Sequence, residues 1–185
     1  QGVSSAASDV YKRQIQNSAT ALTGELIEAG NLDNGTATAG TAVASGVLSA
    51  SDVDLNATQT WSLQGTPSAT YGTIALNPTS GEWTYTLDNS LAATQLLKEG
   101  EVVTQSYVAR VTDDFGAYVD QTITVTIHGT NDVPVIRNSA TALAGELIEA
   151  GNLDDGTATA GTAVASGFLS ASDVDLNATQ TWSLQ

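Results

Sequence analysis

Residues 71–88 read "YGTIALNPTSGEWTYTLD", and the way this stretch folds decides the rest. Trp83, Tyr85 and Leu87 alternate with Thr84 and Thr86. That period of two puts large apolar groups on one face of an extended chain and hydroxyls on the other. Ile74 and Leu76 alternate in the same way before "NPTSG", where Pro78 and Gly81 supply turn dihedrals. The expectation is an antiparallel hairpin with its aromatic rings in a core rather than on a sugar-stacking surface.

The same pattern extends on both sides. "QTITVTIHG" sets Ile123, Val125 and Ile127 against Thr122, Thr124 and Thr126, and "SYVARV" aligns Tyr107, Ala109 and Val111. "ATQTWSL" (Trp61, Leu63) and "ALTGELIE" (Leu22, Leu26) repeat it less cleanly. "NSLAATQLLKEG" breaks the period: Asn89 is a candidate cap, Gly100 a candidate stop, and one short helix is expected between them. Residues 31–46 carry little periodicity and read as a mobile loop. About seven short strands with turns between them imply an all-β sandwich.

A repeat sets the domain limits. Residues 17–64 recur at 138–185 except at Thr23/Ala144, Asn34/Asp155 and Val47/Phe168, an offset of 138 − 17 = 121 residues. Extended backwards, the match pairs Ile15 with Ile136 and stops, because Lys12, Arg13 and Gln14 face Val133, Pro134 and Val135. Residues 15–135 therefore read as one complete repeat, and residues 136–185 as the N-terminal part of a second, truncated one. Residues 1–14 fall outside both, although they hold two of only five basic residues. Back-translated, Asp9 to Gln14 can give GATGTGTATAAGAGACAG, which resembles the transposon adapter end used in preparing sequencing libraries. Residues 1–14 are expected to be a non-native, adapter-derived leader.

Composition narrows the function. The net charge is −15, from 20 acidic and 5 basic residues, yet charged residues are only 14% and hydrophobic ones 41%. Such a chain folds and does not form a disordered polyanion. Its charge opposes nucleic acid, which needs basic patches. With no cysteine, no disulfide framework braces it, and bound metal is the natural substitute. No run approaches the roughly 18 apolar residues of a membrane span. His128 is the single histidine, and no nucleophile elbow or phosphate loop is present, so an enzyme is not expected.

The acids cluster at strand ends. "SASDVDLNATQ" carries Asp52 and Asp54, "RVTDDFGAY" carries Asp113, and "IHGTNDVPVI" carries Asn131 and Asp132, while Glu25 and Glu28 lie near the first strand. Hard oxygen donors in this pattern suit calcium, which takes six to eight of them. The helix-loop-helix calcium motif does not fit. Asp52, Asp54 and Asn56 match its first three ligand positions, but Ala57 stands where glycine is needed and Leu63 where glutamate is needed.

Taken together, "SGVLSASDVDLNATQTWSL", "YGTIALNPTSGEWTYTLDN" and "ARVTDDFGAYVDQTITVTIHGTNDVPV" resemble the VCBS-type repeat of large bacterial, RTX-type surface adhesins. "DVDLNATQTWSL" with "TND" is similar to cadherin repeats. The resemblance implies a seven-stranded Greek-key sandwich, strung in tandem on the bacterial cell surface, with calcium where one repeat meets the next. Carried over, Asp52, Asp54 and Asp113 serve an upstream junction. Asn131 and Asp132 share calcium with Asp173 and Asp175 downstream, and Glu28 reaches that site from the base of the first repeat. The short "TND" linker and the lack of a mid-domain acid-Arg-Glu motif imply fewer ions per junction than in cadherins.

The function so implied is a calcium-stiffened spacer that supports cell adhesion or biofilm attachment outside the cell. Its partners are neighbouring repeats of the same chain, with surface glycans or other adhesins engaged through other domains. The rival reading is a carbohydrate- or protein-binding β-sandwich module.

Overall fold

The computed structural model describes residues 14–32, 34–52 and 57–184. Residues 1–13 of the expected leader, and Asp54, lie outside them. Contacts divide the chain into two units, one ending at Asn131 and one beginning at Asp132. The fold is all-β with one short helix.

In the first unit the alternating segments are strands. They are β1 (Thr23–Ile27), β2 (Val43–Val47), β3 (Gln59–Leu63), β4 (Gly72–Leu76), β5 (Glu82–Leu87), β6 (Val102–Asp113) and β7 (Tyr118–His128). One sheet runs β1-β7-β6-β3 and the other β2-β5-β4. All pairings are antiparallel except β1 with β7, which is parallel and sets Leu26 beside Ile127.

Both sheets feed one core. Trp83, Tyr85 and Leu87 come from β5, Tyr107, Ala109 and Val111 from β6, and Ile123, Val125 and Ile127 from β7, all buried. The Tyr85 and Tyr107 ring centroids are 5.9 Å apart, within the range of favourable aromatic pairs. Trp61, Trp83 and Tyr85 are all buried, so they form no exposed stacking platform.

The expected hairpin forms between β4 and β5. Asn77 Oδ1 accepts from the Thr79 and Ser80 amides at 2.9 and 3.0 Å, and Gly81 closes the turn at φ 72°. Asparagine supplies the local acceptor, and glycine the left-handed backbone.

Two expectations need correction. Residues 43–46, placed in a mobile loop, belong to the edge strand β2, which pairs with β5. Their small side chains hide the pattern, and the indole of Trp83 is the reason they are small. A Cβ on Gly46 would lie 2.7 Å from Trp83 Nε1, and one on Gly24 3.0 Å from Trp83 Cη2. The indole N–H itself donates to Ala21 O at 2.8 Å. The second correction concerns Asn89. The helix spans only Ala92–Gln95 and begins at Leu91 with no side-chain cap, while Asn89 Oδ1 accepts from the Ala29 amide at 3.0 Å. A tertiary acceptor role displaced the local one.

Among its described residues the second unit contains two two-residue pairs, Val135–Ile136 with Ala171–Ser172 and Gly151–Asn152 with Ala158–Thr159, and an isolated bridge between Ile148 and Thr162. A 3-10 turn at Ala140–Leu143 is capped by Ser139. Large apolar side chains, among them Leu147, Phe168 and Trp182, stand exposed.

Candidate metal centre

Asp173 and Asp175 directly follow the Ala171–Ser172 pair. The Asp175 amide donates to Asp173 Oδ1 at 3.1 Å, a turn that aspartate favours because its short carboxylate reaches the backbone two residues on. The Asp132 amide in turn donates to Asp175 Oδ2 at 2.9 Å. Together these two bonds fold the start of the unit back onto its Asp-x-Asp turn.

The result is an enclosed acidic pair. Asp175 is only 7% exposed, and Asp175 Oδ1 and Asp132 Oδ2 are buried with no hydrogen-bond partner. Burial pushes the Asp132 carboxyl above its ordinary value, and the charges of Asp175 and Asp173 add to the shift. Asp175 is raised for the same first reason, against the lowering effect of the Asp132 amide, and the Asp173 charge raises it further. Orphaned, desolvated carboxylate oxygens are costly unless a cation or proton meets them.

The donor set is all oxygen and anionic, which fits a hard divalent cation in kind. It is not a finished cage: among the described residues no group of three or more His, Cys, Asp and Glu side chains is arranged to hold a metal ion.

Glu28 and Asn131 belong to the first unit. Glu28 is fully buried. Its Oε2 accepts from the Thr130 amide at 3.3 Å and its Oε1 from Gln95 Nε2 at 3.4 Å, while its own amide donates to His128 O at 2.9 Å. The carboxylate thereby ties the end of β1 to the chain leaving β7. Asn131 O accepts from the Asn31 amide at 2.6 Å. Gln95 and Thr130 were not legible as partners of Glu28, because 67 and 102 residues separate them from it.

Of the upstream set, Asp52 is half-buried just past Ala50–Ser51. Asp113 sits in the β6–β7 turn, where its Oδ1 accepts from the Phe115 and Ala117 amides at 2.9 and 2.8 Å. Strand register sets it opposite Gln59. His128 Nε2 lies 3.6 Å from Glu25 Oε2 on the open face.

Residues 17–129 match the model of the bacterial cadherin-like domain. The chain belongs to that family. This cadherin-like chain also shows similarity to the crystal structure of the human desmocollin-1 ectodomain, at 14% identity and a TM-score of 0.35. The match covers 70% of this chain and 22% of that one, so the chain spans about a fifth of the ectodomain's length. No curated protein matches the sequence. Cadherin-like domains are adhesion-related structural modules, typically non-enzymatic and at the cell surface, and they commonly bind calcium. Among the described residues no helix is long and apolar enough to cross a membrane.

Proposed function

We propose that the chain is a calcium-stiffened spacer from a bacterial cell-surface or secreted adhesin of the VCBS type, acting in adhesion or biofilm attachment. Residues 15–135 form one seven-stranded Greek-key repeat, residues 136–185 begin the next, and residues 1–14 are foreign to both. The observation that carries this reading is the pair of buried, unpartnered oxygens, Asp132 Oδ2 and Asp175 Oδ1, beside Asp173 and with no basic group in their hydrogen bonds.

Asn131, Asp132, Asp173 and Asp175 would hold the ion, with Glu28 contributing from the first repeat. Asp52, Asp54 and Asp113 would serve the corresponding upstream junction. Bound calcium supplies the positive charge that these carboxylates lack. The chain's own groups do the positioning: the Asp132 amide orients Asp175, and the Asp175 amide orients Asp173. Without a cation the clustered negative charges repel and the junction loosens. Extracellular calcium modules bind at about 10⁻⁴ to 10⁻³ M, so such a junction fills outside a cell and empties within one. The neighbouring repeat is the partner, and glycans or other adhesins are engaged by other domains.

Calorimetry in chelator and in millimolar calcium tests this. A site at about a hundredfold excess over its dissociation constant adds ~2.7 kcal/mol, and the gain should vanish in Asp132→Asn plus Asp175→Asn. An unchanged melting temperature, or a rise that survives both substitutions, sinks the proposal.

A further inference from the structure

We infer that residues 138–185 are a second acceptor for residues 65–131, so that this segment can be claimed by either copy. In the first unit this segment provides β4 to β7. Of these, β7 pairs with β1, β6 with β3 and β5 with β2. Within residues 17–64 the described residues that become buried are Gly24, Leu26, Glu28, Leu48 and Trp61. All five recur downstream, as Gly145, Leu147, Glu149, Leu169 and Trp182, where each is exposed. The positions at which the copies differ, Thr23, Asn34 and Val47, are all exposed in the first unit. Nothing in the core therefore distinguishes the two acceptors.

The connection distinguishes them. Upstream, Gln64 runs directly into Gly65. Downstream, the chain leaves β7 at His128 and reaches residue 138 after 138 − 128 = 10 residues. That length reaches about 33–36 Å when extended, comparable to β7 itself at ~3.3 Å per residue. The downstream pairing is thus reachable, and the upstream one prevails in the unaltered chain because its link is direct. Exchange of equivalent segments between like repeats is a known hazard of tandem proteins.

The test disables the upstream acceptor with Leu26→Asp plus Leu48→Asp, in chelator so that calcium plays no part. The chain should still melt cooperatively, Trp182 fluorescence should shift to the blue, and amide protection at 144–148 should rise by roughly a hundredfold or more as it disappears at 23–27. Loss of cooperative melting with no protection at 144–148 overturns the inference. So does a cooperative melt that persists when Leu147→Asp and Leu169→Asp are added.

Discussion

Residues 17–64 and 138–185 are one sequence but for three positions, and they do not have one structure. Leu26 is 0% exposed and its counterpart Leu147 63%; for Trp61 and Trp182 the values are 2% and 50%. The upstream copy carries β1, β2 and β3, each paired with a strand from residues 65–131. In the downstream copy the corresponding residues 144–148, 164–168 and 180–184 form no strand, and Ile148 makes a single bridge to Thr162. A strand is a relation between two segments, so identical residues are strand or coil according to what lies beside them.

The largest effect should come from the tryptophan that the two copies share. Trp61→Ala removes a buried indole packed against Gly81 and should cost ~3–5 kcal/mol in chemical denaturation. Trp182→Ala, at a half-exposed position, should stay within about 0.5 kcal/mol. Equal costs for the two would erase the contrast between the copies.

A smaller contrast is electrostatic. Asp120 is held below the ordinary carboxylate value, first by its hydrogen bond to Arg110, which binds it through Nε and Nη2 at 2.7 and 2.8 Å. Asp132 and Asp175 are raised, first by burial. Linkage then gives opposite signs. The Asp120 contribution is present above the ordinary value and is lost as pH falls through the lowered one. The Asp132 and Asp175 carboxyls oppose folding at neutral pH, and that penalty is relieved as pH falls through their raised values. Carboxyl NMR titration in chelator should place Asp120 on one side of about 3.9 and Asp132 and Asp175 on the other. Midpoints that all fall together would refute it.

The smallest effect belongs to the surface. Arg110 stacks on Tyr118, with its guanidinium carbon 3.5 Å from the ring centroid. Arg110→Ala should return the Asp120 midpoint towards the ordinary value while barely moving the melting temperature, since exposed ion pairs contribute little. A large fall in melting temperature would show that the pair braces the sheet.

Much of the fold was legible where side chains are large and alternate: Trp83, Tyr85 and Leu87, and Ile123, Val125 and Ile127, announce their buried faces directly. The edge strand β2 was not legible, because "VASGV" is shaped to leave room for a ring 37 residues away in sequence, from Gly46 to Trp83 (83 − 46 = 37). Of the candidate metal centre, the acid pattern could be read but the burial could not. That Asp113 spends one oxygen on its own turn, and that Asp175 is enclosed, depend on backbone amides whose direction no spacing reveals.

The two copies separate these contributions within a single chain. Features made inside 48 residues appear in both: the 3-10 turns capped by Ser18 and Ser139, the Asn17–Ser49 and Asn138–Ser170 bonds at 2.6 Å, the left-handed Gly40 and Gly161, and the short ladders at 30–38 and 151–159. The sequence alone determined these, since each is closed by groups the copy itself contains. The strands β1, β2 and β3 and the burial of Leu26 and Trp61 were decided by tertiary structure. Their hydrogen-bond partners and the surfaces that dry them belong to residues 65–131, which pair with the upstream copy.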